Sequence, residues 1–157
     1  MNDLWLGASV GNADFVFLLP NKPCLPAVTD DISFLEKPDV SILIELNGNH
    51  WRKIFTIMAK LTSPTYDSWK EFRDTELLKK VGVAFSQDQL HGYEGVVFVV
   101  GNTFRGELSV ASSAQEIGAK HVAFVSLPYI WCPYLDYRQF PNILIEALRE
   151  YILEKSC

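Results

Sequence analysis

The residues best suited to chemistry sit in short polar clusters, each following an apolar run that reads as a strand. Pro20-Asn21-Lys22-Pro23 follows Phe15–Leu19, and Asn47-Gly48-Asn49-His50 follows Ile42–Leu46. Gly101-Asn102-Thr103-Phe104-Arg105 follows Val96–Val100, and an aromatic segment over residues 128–141 follows Val122–Leu127. In open α/β sheets, ligands bind beyond the carboxyl ends of the strands, so these are the places to look. An asparagine amide carries both a donor and an acceptor, which suits the edge of an amide-like nucleobase. Asparagine is equally a turn and cap residue, and both roles stay open for Asn21, Asn49 and Asn102. Arg105 adds a cation for a base edge or a phosphate. His50 opens a helix whose free N–H groups could hold an anion, or it serves as a surface or capping residue. Trp131, with Tyr129, Tyr134, Tyr137 and Phe140, could stack on a base, plug the open end of the sheet, or make a subunit contact.

Other chemistries lack their patterns. There is no Walker A lysine loop, no G-x-G-x-x-G and no G-x-S-x-G elbow. Cys24, Cys132 and Cys157 are odd in number and widely spaced, without the His/Cys pairing of a zinc site. They read as free thiols in a reducing cytoplasm. A nucleophile set of Cys132, Asp136 and a histidine finds no support in the spacing, and a buried thiol is the simpler reading. Asp30 and Asp31 are adjacent, so their side chains diverge. No metal and no cofactor is expected.

The chain has 157 residues and a net charge of −5. Residues 1–48 hold seven acids against Lys22 and Lys37, while residues 49–157 balance. A wide duplex-binding footprint would show as a basic face, and the totals show none. His50, Arg52, Lys53 and Lys60 form a local basic stretch that also reads as a solvated helix face. No apolar run approaches a bilayer span, and the first residues lack the basic and apolar regions of a signal peptide. A cytoplasmic protein with no membrane partner is expected.

The elements that must position these groups follow from periodicity. Five apolar runs, Phe15–Leu19, Ile42–Leu46, Val83–Phe85, Val96–Val100 and Val122–Leu127, suit strands buried on both faces. Between Asn49 and Leu61, apolar Trp51, Ile54, Phe55, Met58 and Leu61 recur at helical steps, with Asn47 or Asn49 as N-cap and Arg52, Lys53, Thr56 and Lys60 elsewhere. Further helices are expected from about Asp67, over Thr75–Lys80, around Ser113–Ile117 behind a Ser113/Glu116 capping box, and from about Pro141 to Leu153. In the last, Ile143, Leu144, Ala147, Leu148, Tyr151 and Ile152 form the buried face. Residues 20–41 and 128–141 read as long loops. The alternation predicts one α/β domain over residues 1–157, a three-layer α/β/α sandwich around a central, mostly parallel sheet.

One tract resembles a known family. Gly48-Asn49-His50-Trp51-Arg52-Lys53-Ile54-Phe55, then Ala59-Lys60-Leu61-Thr62, then Asp74-Thr75-Glu76-Leu77-Leu78-Lys79-Lys80-Val81-Gly82-Val83-Ala84-Phe85 resembles the mismatch-specific uracil/thymine-DNA glycosylases of the uracil-DNA glycosylase superfamily. Glu94–Val100 with Gly101, and His121–Leu127 with the C-terminal helix, look like later parts of the same pattern. The resemblance implies a uracil-DNA glycosylase-like fold and a nucleobase-sized pocket, in which family members flip a base and cleave its glycosidic bond. It places Asn21 where the family's water-positioning asparagine belongs; Asn47 is nearer the matched helix but leaves too short a loop. Asn49 would open the active-site helix, and Asn102 with Arg105 would contact the base edge or phosphate. Where the family carries G-x-N-P-G-type and N-P-S-type loops, this chain has Pro20-Asn21-Lys22-Pro23 and Pro128-Tyr129-Ile130-Trp131-Cys132-Pro133. The expectation is therefore a divergent, non-catalytic member binding a nucleobase, nucleotide or DNA. An active N-glycosylase is one alternative, and an interaction module self-associating through residues 129–140 is another.

Overall fold

The computed structural model describes residues 4–26 and 31–156. Its strands are β1 (Leu6–Gly7), β2 (Phe15–Leu18), β3 (Val81–Ala84), β4 (Val96–Val100), β5 (Gln115–Gly118), β6 (Val122–Ser126) and β7 (Tyr129–Cys132). They form one sheet in the order β1-β3-β2-β4-β7-β6-β5. The four central strands are parallel, pairing β3 with β2, β2 with β4 and β4 with β7. Both flanks are antiparallel: β1 on β3, and the β6–β7 and β5–β6 pairs. The sheet is thus mixed around a parallel centre.

Strand alternation divides the core in two. Phe17, Phe98, Val100, Ile130 and Cys132 point to one face, and Val16, Leu18, Val97, Val99 and Trp131 to the other. Phe17 and Phe98 stack across adjacent strands, ring centroids 4.4 Å apart. The first face carries α1 (Asp31–Glu36), α2 (Val40–Asn47), α3 (Asn49–Thr62), α4 (Trp69–Thr75), α5 (Leu77–Lys80) and α6 (Asn142–Ser156). Among the described residues, the second face carries no α-helix. It is covered by the 3-10 turn Gln87–Leu90 and by Phe104, Leu108, Val110, Ala111 and Ala114. The α/β class stands, but the third layer is irregular chain.

Several local expectations are corrected. The run Ile42–Leu46 is not a strand but the body of α2. Asp39 Oδ1 accepts from the N–H groups of Ser41 and Ile42, capping the helix, and Val40, Leu43 and Ile44 are buried while Ile42 and Leu46 are exposed. A five-residue apolar run is too short to show its period, and the capping aspartate decides it. Gly48, at φ 80°, joins α2 to α3 and is itself the N-cap, so neither Asn47 nor Asn49 caps α3. The segment at Ser113–Ile117 is not helical. Pairing of β5 with β6 overrides the capping-box spacing, and the formed box is Ser86 with Gln89. Residues 128–141 are not all loop, because Tyr129–Cys132 form β7, an interior strand of the sheet.

Two expected helix faces also change. Thr56 and Lys60 are buried rather than solvated, because α4 and α6 cover that side of α3. On α6, Ile143 is 79% exposed, and Leu144, Ile145 and Leu148 form the buried side. Asp30 and Cys157, noted in the sequence, lie outside the described residues.

Candidate functional site

The four parallel strands run β2, β3, β4, β7 along the chain but stand in the order β3-β2-β4-β7. The chain leaves β2 to one side for β3 and returns to the other for β4. The carboxyl ends of β2 and β4 therefore diverge at a topological switch point, where α/β sheets place their ligand crevices. Asn21 follows β2 there, Gly101 and Asn102 follow β4, and Pro133 and Tyr134 follow β7 next to it.

The side chains meet on Tyr134. Its hydroxyl donates to Asn21 Oδ1 at 3.0 Å and lies 2.7 Å from His50 Nε2, and its ring stacks on the histidine with centroids 5.7 Å apart. Residues 113 and 84 positions apart are thus joined by one phenol. Tyr134 and Asn21 are half-buried, and His50, at the start of α3, is exposed. Burial pushes the Tyr134 phenol up; the Asn21 amide works against this and Asp136 adds to it. Asp136 is engaged, lying 3.8 Å from Lys53 Nζ and accepting from the backbone N–H of Arg138. Gly101, at φ 72°, turns the chain after β4 close to the Tyr134 ring; a Cβ there would lie 3.8 Å from Tyr134 Cδ1.

Of the residues singled out in the sequence, Asn21 and His50 are brought together through Tyr134. Asn102 stands exposed in the turn beside them, its carbonyl accepting from the N–H of Arg105. Asn49 neighbours His50, but its Oδ1 accepts from Arg52 Nη1. Arg105 and Trp131 lie toward the opposite face. The Arg105 guanidinium sits 5.8 Å from the Phe124 ring, with a buried Nε that has no hydrogen-bond partner among the described residues. Trp131 is buried and donates from Nε1 to the Leu108 carbonyl. Phe140 is also buried, so the aromatic segment supplies core as much as surface.

Asn47 has a structural task. Its amide exchanges hydrogen bonds with the backbone N–H and C=O of Cys24 and donates to the Leu43 carbonyl, pinning the segment after β2 onto the end of α2. That contact fixes the stretch from which Asn21 projects. Cys132 is fully buried; burial pushes its thiol up, with Arg105 opposing weakly. It stays protonated and is no nucleophile at neutral pH. Among the described residues, no group of three or more His, Cys, Asp or Glu side chains could hold a metal ion. No helix among them is long and apolar enough to cross a membrane.

Tyr134 stands among the aromatics singled out in the sequence, but its link to Asn21 and His50 does not show there, because it depends on β7 being a strand of the sheet.

No curated protein and no solved structure matches the chain. Residues 6–153 match the model of a family of unknown function, DUF6942. With nearly its whole length matched, the chain belongs to the DUF6942 family.

Proposed function

We propose that this chain is a divergent glycosylase-fold binding protein that takes a nucleobase or nucleotide at the carboxyl ends of β2, β4 and β7, without cleaving its glycosidic bond. The observation that carries the reading is the Asn21–Tyr134–His50 chain of hydrogen bonds at the switch point. It gathers an amide, a phenol and an imidazole, groups that pair with ring edges and stack on ring faces. The likeness of residues 48–85 to base-excising enzymes supports the choice of ligand class.

The sequence of the strand-end loops supports the non-catalytic half of the reading. Hydrolysis of a base–sugar bond needs a positioned water or support for an oxocarbenium-like centre. Where the resembled family carries G-x-N-P-G-type and N-P-S-type loops for that task, this chain has Pro20-Asn21-Lys22-Pro23 and Pro128-Tyr129-Ile130-Trp131-Cys132-Pro133. Cys24 and Cys132 are free thiols, which accords with a reducing cytoplasmic setting.

Calorimetry with uridine, thymidine and their monophosphates, run beside a base-release assay on uracil- and mismatch-containing oligonucleotides, tests both halves. Saturable binding with no released base is expected. No binding of any of the four removes the ligand reading, and released base overturns the non-catalytic one.

A further inference from the structure

Tyr134 Oη carries one proton and stands within hydrogen-bond distance of two groups, His50 Nε2 at 2.7 Å and Asn21 Oδ1 at 3.0 Å. It can give that proton to only one of them. When Tyr134 donates to Asn21 Oδ1, as found, His50 Nε2 must carry a hydrogen and donate to the phenol. The reverse polarity needs two changes together. His50 moves its ring hydrogen to Nδ1, and Asn21 turns its amide so that Nδ2 donates to Tyr134. An imidazolium has hydrogens on both nitrogens, so it admits only the first polarity.

We propose that Tyr134 is a positioning residue that couples the proton on His50 to the orientation of the Asn21 amide. The coupling sets which amide edge is left for a ring ligand. With His50 charged, the remaining edge is the Nδ2 donor, which pairs with a ring carbonyl. With His50 neutral, the amide can also leave Oδ1, which pairs with a ring amino group. The use of this coupling for ligand choice rests on the Asn21–Tyr134–His50 surface being the binding site; the coupling itself belongs to the ligand-free protein.

The charged groups around the relay come from each neighbouring segment. Lys53 lies one turn along α3, Asp136 and Arg138 follow β7, and Lys22 is next to Asn21. Arg105 lies beyond β4 over Phe124. On the α2 side, Glu45 shares a separate hollow with Arg52, Arg73 and Asp74. Lys53 and Asp136 pair with one another, 3.8 Å apart.

Nuclear magnetic resonance of the ligand-free full chain reads the coupling. The His50 ring and the Asn21 side-chain amide are followed through a pH titration in the wild type, Tyr134→Phe and His50→Gln. In the wild type, the Asn21 amide resonances move with the same midpoint as the His50 ring. In Tyr134→Phe, His50 still titrates and Asn21 no longer follows; in His50→Gln, Asn21 stays constant through that range. An Asn21 amide that ignores the His50 titration, or follows it equally in Tyr134→Phe, overturns the proposal. If Tyr134→Phe does not fold, an Asn21 transition that persists in His50→Gln overturns it alone. Failure of the binding reading looks different: the coupling is present and calorimetry with nucleosides is silent.

Discussion

Helix α3 carries a polar cluster at each end, and the two are built differently. At its start, His50 meets Tyr134 and Asn21 at the edge of solvent. Toward its end, Lys60 and Arg149 are both about nine-tenths buried with no carboxylate within ion-pair distance among the described residues. The Lys60 ammonium sits 5.0 Å from the Trp69 and Tyr137 ring centroids and donates to Asn142 Oδ1. Arg149 donates to the Lys60 carbonyl, 3.0 Å away, and lies 5.8 Å from the Tyr66 ring. Burial pulls the Arg149 guanidinium down and pushes the Tyr66 phenol up, and each group opposes the other's shift. Cation–π contacts and a backbone carbonyl here replace the ion pair that a buried charge ordinarily requires. The cluster ties α3, α4 and α6 together. The cluster at the other end sits at the strand ends, and among the described residues the Asn21 Nδ2 edge takes no part in it. The first cluster joins helices of one layer, whereas the second joins segments far apart in the chain at the ends of the parallel strands.

The contrast can be broken most forcefully at Arg149. Arg149→Ala removes a charged hydrogen bond and a packed stem, and is expected to cost about 2–3 kcal/mol in urea unfolding. The His50 and Asn21 resonances should stay in place. A cost near zero would mean that the buried cluster does not hold the helices together. Tyr134→Phe should behave in the opposite way, costing about 1 kcal/mol or less while weakening nucleoside binding about tenfold, roughly 1.4 kcal/mol. A large loss of stability with unchanged binding would move Tyr134 into the structural class.

A third group sharpens the comparison through pH. Tyr93 donates to the Ala13 carbonyl, and burial, aided by Asp14, pushes its phenol up to about 12. Because the folded-state value lies above the unfolded one of 10.0, Tyr93 stabilises the fold fully below pH 10. That contribution is lost as pH rises from 10 to 12. Tyr66 and Tyr134 shift in the same direction, so the test is a difference: Tyr93→Phe should show a shallower alkaline loss of stability than wild type. Equal slopes would show that Tyr93 is not held neutral by the fold.

What was legible in the sequence tracks how local its cause is. The runs that became β2, β4 and β6, and the period of α3, announce themselves within a few residues. The α2 segment did not, because Asp39 had to be weighed against an apolar run that looks like a strand. Ser113 and Glu116 carry the spacing of a helix start, yet β6 claims the segment. Strand β7 was read as loop because prolines flank it and its partner β4 lies some thirty residues earlier. The site suffered the same way. Asn21 and His50 were visible as residue types, but their meeting depends on Tyr134, which acquires a position only once β7 is in the sheet. Lys60, placed on a solvated face by periodicity, is buried because α4 and α6 supply rings and an amide that no local pattern announces.

The proposed binding site is the end of the sheet where Asn21, Tyr134 and His50 meet, with a nucleobase as its ligand. Titrating the labelled protein with uridine while recording their side-chain resonances tests it most directly. Saturable shifts are expected at all three and at Asn102, with the Lys60 and Arg149 signals unmoved. Saturable shifts confined to any other surface, or none at all, would contradict it.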